Sequence, residues 1–188
     1  MTAQQRAAGS PAGPVPLIVL IGPPGAGKTT VGGLLATLLG VGFADTDAAV
    51  EAAAGKPVAD IFITDGEPEF RRLEREAVEA ALAASDSTAG VVGLGGGAVM
   101  HEQTQERLAG RHVVYLETGF TELAKRVGLD RPRPLLIGTN PRAQLKSLLE
   151  LRLPVYDKLA WLTVRTDGRD PAEIAAEIAA VVTGREGQ

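Results

Sequence analysis

The stretch that decides the fold is LIVLI at residues 17–21, followed at once by GPPGAGKT at residues 22–29. The first run is short, continuously apolar and rich in branched side chains, so it predicts a buried parallel strand. Apolar residues then recur at helical spacing over residues 29–39, and Gly40 supplies a stop. A strand, a glycine-rich loop and a helix in this order open an α/β fold.

The same alternation continues to the end of the chain. Further strands are predicted at residues 41–44, 90–94, 113–116 and 161–165, and further helices at residues 66–84, 102–109, 120–127, 141–153 and 171–182. Strands that alternate with helices favour right-handed crossovers. We therefore predict a five-stranded parallel sheet flanked by helices on both faces.

Composition limits the classes of function. The chain has 188 residues, 45% hydrophobic and 22% charged, which predicts one domain at residues 16–183 between tails at 1–15 and 184–188. With 4% aromatic residues, a net charge of −4 and no long basic run, neither nucleic acid nor a membrane surface is expected as a partner. No cysteine occurs, which excludes a disulfide framework and thiolate chemistry. No membrane-span or signal-peptide pattern occurs either, so we expect a cytoplasmic enzyme. We also expect a monomer.

Residues 22–29 fit the P-loop pattern G-x-x-x-x-G-K-[ST] in the strand-to-helix context that this motif requires. Glycines allow successive backbone N–H groups to surround phosphate oxygens at the positive end of a helix. Lys28 would reach the β and γ phosphates, and the Thr29 hydroxyl would bind Mg²⁺. We predict binding of ATP and Mg²⁺, with an inactive loop as the alternative. The predicted nucleotide-binding residues of the loop are Gly25, Ala26, Gly27, Lys28, Thr29 and Thr30.

Asp45 and Asp47 follow the second predicted strand, at the carboxyl end of the sheet where open α/β folds bind ligands. Two residues apart on an extended segment, their side chains would point the same way. One carboxylate could hold a water of the Mg²⁺ shell while the other orients an acceptor hydroxyl. The alternative is a polar turn that caps a helix at Ala48.

Two other segments could bind an anionic acceptor. Arg71 and Glu74 lie one helical turn apart, and an arginine held by a carboxylate is a bidentate receptor for another carboxylate. Taken alone, Arg71 would more often be a solvated helix charge. The run Gly95 to Gly97 follows a predicted strand and would let bare backbone approach a ligand, with a tight turn as the alternative. The irregular residues 128–140 are long enough for a lid.

Together these motifs resemble the shikimate kinases. They comprise the P-loop at 22–29, D-T-D at 45–47, G-E-x-x-F-R-x-x-E at 66–74, G-G-G at 95–97, R-P-L-L at 133–136 and R-x-P-x-Y at 152–156. The resemblance implies transfer of the ATP γ-phosphoryl group to the 3-hydroxyl of shikimate, which yields shikimate 3-phosphate and ADP on the way to chorismate and the aromatic amino acids. It also implies a nucleoside-monophosphate-kinase-like fold with a substrate-binding subdomain at about 48–80 and a lid at about 128–142.

The resemblance further implies roles for single residues. Asp47 matches the acidic residue that contacts the acceptor hydroxyls, and Asp45 the one near Mg²⁺, acting through water. The remaining matches are Arg71 and Arg152 for the shikimate carboxylate, the Gly95, Gly96 and Gly97 run for a backbone contact, Arg133 for the phosphates and Arg169 for the adenine. Lys28, Asp47 and Arg133 are the predicted catalytic residues.

Three other functions compete with this one. A gluconate or nucleotide kinase of the same fold is the nearest, although nothing favours a nucleoside acceptor. A P-loop switch predicts a guanine-reading N-K-x-D motif, which does not occur, and a kinase-like binding protein without activity disagrees with the intact site motifs.

The two histidines, His101 and His112, lack metal-ligand spacing. We expect Tyr115 and Trp161 to lie in the core, and Tyr156 to pack near Arg152.

Overall fold

The computed structural model describes residues 15–85, 89–129 and 140–184. Apart from Val15 and Gly184, the two predicted tails lie outside these residues. So do residues 130–139 of the predicted lid, which include Arg133.

Five strands form one parallel sheet in the spatial order β2-β3-β1-β4-β5. The strands are β1 (Leu17–Ile21), β2 (Gly42–Asp45), β3 (Gly90–Gly93), β4 (His112–Glu117) and β5 (Leu162–Arg165). Strand β1 lies in the middle, and alternate residues face opposite sides of the sheet. Ile18 and Leu20 join one buried cluster, whereas Val19 and Ile21 join the other. Burial on both faces explains why this run contains no polar residue, and it confirms the predicted sheet.

Eight helices and one 3-10 helix, Ala98–Met100, accompany the sheet in the described part of the chain. They are α1 (Lys28–Leu39), α2 (Thr46–Ala54), α3 (Val58–Thr64), α4 (Gly66–Ser85), α5 (Glu102–Leu108), α6 (Phe120–Arg126), α7 (Pro141–Leu159) and α8 (Pro171–Val182). None of these helices is both long and apolar enough to cross a membrane.

Helix α3 was not predicted from the sequence, and α2 only as the alternative in which a polar turn caps a helix at Ala48. They pack against the start of α4 through a small cluster of their own, which contains Val50, Ile61 and Phe70. Neither helix would bury much apolar surface without α4. The apolar residues of α2 and α3 are therefore buried because α4 packs against them.

Two expectations near the end of the chain were wrong. Helix α7 continues past the predicted end at residue 153 to Leu159, although Pro154 lies inside it. Proline removes one helical hydrogen bond, but Arg152 and Tyr156 on either side are buried, and their packing keeps the helix intact. Trp161 is 48% exposed and meets His112 edge-on at 4.6 Å, so it is not a core residue, whereas Tyr115 is buried as expected.

Candidate active site

Three predicted motifs lie at the same edge of the sheet. Strand β1 leads into the P-loop, β2 ends at Asp45, and β3 leads into Gly95. These strands are neighbours in the order β2-β3-β1 and run in parallel, so their carboxyl ends lie side by side. The sheet therefore brings together residues that lie far apart in the sequence.

The P-loop has the backbone shape of an anion site. Gly22, Gly25 and Gly27 have φ angles of 144°, 84° and 95°, a region that favours glycine. Gly27 is the N-cap of α1 and provides no side-chain hydrogen bond to the helix. The first N–H groups of α1 thus lack a side-chain cap, and they can bind a phosphate group at the positive end of the helix dipole.

Lys28 folds back over the loop. Its Nζ donates hydrogen bonds to the carbonyl oxygens of Gly22 at 2.9 Å and Pro23 at 3.0 Å. Burial lowers the pKa of Lys28 to about 8, and the nearby carboxylates of Asp47 and Asp45 oppose that shift. Among the described residues these two carbonyl oxygens are the hydrogen-bond partners of Lys28 Nζ, and the side chain can exchange them for phosphate oxygens.

Thr29 and Asp45 present oxygen atoms beside the loop. Thr29 Oγ1 donates to Asp45 Oδ2 at 2.6 Å, while Asp45 Oδ1 accepts from the backbone N–H groups of Asp47 at 3.0 Å and Ala48 at 3.4 Å. Oxygen ligands of this kind suit Mg²⁺, which usually keeps several waters and needs few protein ligands. Within the described ranges, no group of three or more His, Cys, Asp or Glu side chains could hold a metal.

The geometry assumed for the two aspartates was wrong in one respect. Only Asp45 is extended, because it is the N-cap of α2, and Asp47 lies in the first helical turn. The capping alternative is therefore correct for Asp45. The Asp47 carboxylate nevertheless lies beside Gly95, where an added Cβ would overlap its Oδ1. Burial raises the pKa of Asp47, and the charge of Lys28 opposes that shift.

Arg71 and Arg152 meet at the glycine run, and we call this pair the carboxylate receptor after the role that the sequence predicts for it. A Cβ at Gly97 would lie 2.7 Å from Arg71 Nη1 and 3.2 Å from Arg152 Nη2. Arg71 also donates to the buried Glu74 at 2.7 Å. One arginine comes from α4 and the other from α7, so the pair exists only in the folded chain. Arg71 is thus not a freely solvated charge.

A cavity of about 660 Å³ runs along the P-loop, and it contains one basic residue that sequence reasoning missed. The guanidinium of Arg126 donates to the Thr166 carbonyl at 3.0 Å and to its hydroxyl at 3.2 Å. Arg169, which was predicted, lines the same cavity and pairs with Glu177 at 2.5 Å. The only signal for Arg126 was a Lys-Arg pair at the end of α6, which is also typical of an ordinary helix terminus.

A P-loop at the centre of this parallel sheet, beside an acidic pair and a two-arginine receptor, defines a P-loop kinase with a nucleoside-monophosphate-kinase-like fold. A family model described as shikimate kinase matches residues 24–183. The chain belongs to the shikimate kinase family.

Individual relatives agree with the family model. The shikimate kinase of Thermobifida fusca is 62% identical over 164 residues, which cover 87% of this chain and 93% of that protein. The shikimate kinase of Salinispora arenicola is 57% identical over 167 residues, which cover 89% of this chain and 98% of that protein. A solved structure of the Acinetobacter baumannii shikimate kinase in complex with shikimate matches with a TM-score of 0.81 at 36% identity, covering 93% and 96% of the two chains.

Family membership confirms the function predicted from the sequence, which is ATP-dependent phosphorylation of shikimate in aromatic amino acid biosynthesis. It excludes the switch and the gluconate or nucleotide kinase as primary functions. The individual residue roles stay predictions.

Proposed function

We propose that the described site transfers the γ-phosphoryl group of ATP, bound with Mg²⁺, to the 3-hydroxyl of shikimate. The observation that carries the residue assignment is the convergence at one sheet edge of the P-loop, Asp47 and the carboxylate receptor around Gly97. A monomeric state and a cytoplasmic location remain the expectations from the sequence.

The nucleotide side of the site is formed by the P-loop and the cavity beside it. The uncapped N–H groups at the start of α1 would bind phosphate oxygens, and Lys28 would move from its carbonyl partners to the β and γ phosphates. Arg126 and Arg169 would line the nucleotide further along the cavity. Thr29, with Asp45 through water, would hold Mg²⁺, which neutralises phosphate charge when it is bound.

The acceptor side begins at the glycine run. Shikimate is a small carboxylate with several hydroxyl groups, so two arginines and one carboxylate match its charge and its polar groups. Arg71 and Arg152 would hold the substrate carboxylate, and Gly96 would contribute its backbone. Asp47 would orient the attacking hydroxyl and accept its proton. Its raised pKa makes the carboxylate a better proton acceptor than an exposed aspartate.

Two further parts of the proposal rest on the sequence. Residues 48–80 would form the substrate-binding subdomain, and the separate cluster of Val50, Ile61 and Phe70 supports a unit of its own there. The lid at about 128–142 would close over the bound substrates and bring Arg133 to the phosphates. Closure would exclude water, which otherwise competes as the phosphoryl acceptor.

An acceptor comparison tests the proposed reaction. ADP release would be measured with ATP and Mg²⁺ in the presence of shikimate, gluconate, AMP or no acceptor. We expect turnover with shikimate alone. Bound ATP without shikimate-dependent turnover would refute the acceptor and leave the P-loop assignment in place.

A matched pair of arginine variants tests the carboxylate receptor. Arg71→Ala should raise the shikimate KM about 10- to 100-fold, because a charged hydrogen-bonding partner of the substrate is lost. Arg72 is the control, since it pairs with Glu69 and Glu76 on the exposed face of α4. Arg72→Ala should leave the shikimate KM unchanged. Equal KM values in the two variants would remove Arg71 from the site.

A further inference from the structure

The glycine run Gly95–Gly97 lies where the nucleotide side and the acceptor side of the site meet. A side chain at Gly95 would overlap the Asp47 carboxylate, and a Cβ at Gly96 would lie 2.7 Å from Pro24 Cδ in the P-loop. Gly97 contacts the carboxylate receptor. The shape of this run therefore sets how far apart the reacting groups lie.

Three successive glycines have little conformational preference, so contacts from outside must hold their backbone. Two buried side chains provide such contacts. The Thr46 hydroxyl accepts a hydrogen bond from the Gly95 N–H at 2.9 Å, and the Tyr156 hydroxyl donates one to the Gly96 carbonyl at 2.6 Å. Thr46 is 1% exposed and Tyr156 0% exposed, so water has little access to either.

Each of the two residues lies on a helix that also carries a predicted site residue. Thr46 lies between Asp45 and Asp47 at the start of α2. Tyr156 follows Arg152 by one helical turn on α7, which places both on the same face. The two side chains are close enough that Arg152 opposes the rise in the pKa of the Tyr156 hydroxyl that burial causes. The two contacts therefore connect the glycine run to the acidic pair on one side and to the carboxylate receptor on the other.

We propose that Thr46 and Tyr156 are positioning residues that clamp the glycine run in the shape required for the acceptor. They hold the Gly96 backbone, Asp47 and Arg152 at fixed separations, and they act on shikimate through these groups rather than by touching it. This role deepens the proposed function and rests on it. The clamp affects acceptor binding and turnover, and it leaves ATP binding unchanged.

A purely structural role for Tyr156 is the competing explanation. Its ring stacks on that of Tyr115 with centroids 5.2 Å apart inside a buried cluster, so deleting the whole side chain would damage the core. Tyr156→Phe keeps the ring and removes only the hydroxyl. Tyr115→Phe is the matched control, because the Tyr115 hydroxyl is buried and has no hydrogen-bond partner among the described residues.

The experiment compares steady-state kinetics, ATP binding without shikimate, and amide hydrogen exchange of a peptide covering residues 94–98. For Tyr156→Phe we expect an about tenfold higher shikimate KM, because the buried Gly96 carbonyl loses its donor. ATP affinity should stay within about twofold of the wild type, and residues 94–98 should exchange faster. Tyr115→Phe should change none of these three quantities.

The second contact of the clamp has its own pair of variants. Thr46→Val keeps the shape of the side chain and removes the acceptor for the Gly95 N–H, so it should also raise the shikimate KM. Thr46→Ser keeps the hydroxyl and should restore a KM close to that of the wild type. This rescue distinguishes positioning by the oxygen atom from simple packing of the side chain.

Two results would overturn the clamp while leaving the proposed reaction intact. One is an active Tyr156→Phe enzyme with wild-type shikimate KM and wild-type exchange at residues 94–98. The other is an equal loss of shikimate and ATP affinity, which indicates general damage. Failure of the proposed function is distinguishable, since the wild type itself would then show no shikimate-dependent turnover.

Discussion

Gly97→Ala should disable the carboxylate receptor without unfolding the protein. The φ and ψ angles of Gly97 are −99° and −15°, which alanine adopts without strain. The added methyl group, however, would lie 2.7 Å from Arg71 Nη1 and 3.2 Å from Arg152 Nη2. The perturbation is therefore a steric one, directed at the two guanidinium groups.

The size of the effect follows from these distances. Non-bonded heavy atoms are most stable at about 3.5–4.0 Å, so the Arg71 guanidinium must move by about 0.8 Å or more. It is the flexible end of a side chain and can move, although its 2.7 Å bond to Glu74 would be distorted. A displacement near 1 Å in a substrate-positioning group costs about 100-fold in rate. We expect kcat/KM for shikimate to fall about 30- to 100-fold.

The assay is ADP release at saturating ATP with shikimate varied, together with calorimetric ATP binding and thermal unfolding. Gly33→Ala is the control, because a Cβ at Gly33 has nothing within 4 Å. A folded Gly97→Ala protein with kcat/KM within about twofold of the wild type would refute the steric reasoning. So would an equal loss of ATP affinity, since the methyl group lies on the acceptor side.

Four other changes have defined outcomes. Asp47→Asn should lower kcat about 100- to 10,000-fold while calorimetry still detects ATP binding, and near-normal turnover would remove Asp47 from the mechanism. Thr29→Val should raise the Mg²⁺ concentration for half-maximal activity about tenfold without changing the shikimate KM, whereas an unaltered Mg²⁺ requirement would contradict the assigned ligand. In thermal unfolding, Gly32→Ala should destabilise the protein by about 1–3 kcal/mol, because the methyl group would overlap the Phe43 ring. The methyl group of Gly33→Ala would face open space and should stabilise the protein by about 0.5–1 kcal/mol. A Gly32→Ala protein more stable than the Gly33→Ala protein would disprove the packing of α1 on β2.

The elements that were predicted correctly have a strong local pattern. Strand β1 is buried on both faces, so its residues must all be apolar and the run is visible in the sequence. Helix α1 follows a glycine loop and ends at Gly40 in the left-handed region, so both of its ends are marked by residue type. In such elements the local preference and the tertiary environment agree.

The elements that were missed depend on distant partners. Helices α2 and α3 bury only Thr46, Val50 and Ile61 between them, and the two apolar residues, Val50 and Ile61, are covered by Phe70 of α4. Pro154 indicates a helix end, yet α7 continues because the residues around the proline pack into the core. Sequence periodicity shows which face of a helix or strand is apolar, but it does not show which other helix or strand will cover that face.

The sequence by itself determined the order of the elements, the P-loop and the residue types that follow each strand, because these depend on short-range spacing. The resemblance to the family assigned Arg71 and Arg152 to one carboxylate, but only the tertiary structure decided that they meet at Gly97 and that Arg126 lines the same cavity as the P-loop. It also showed Asp47 on a helix rather than on an extended segment. The physical reason is that a side chain's neighbours depend on how helices pack across the sheet, which no local spacing encodes.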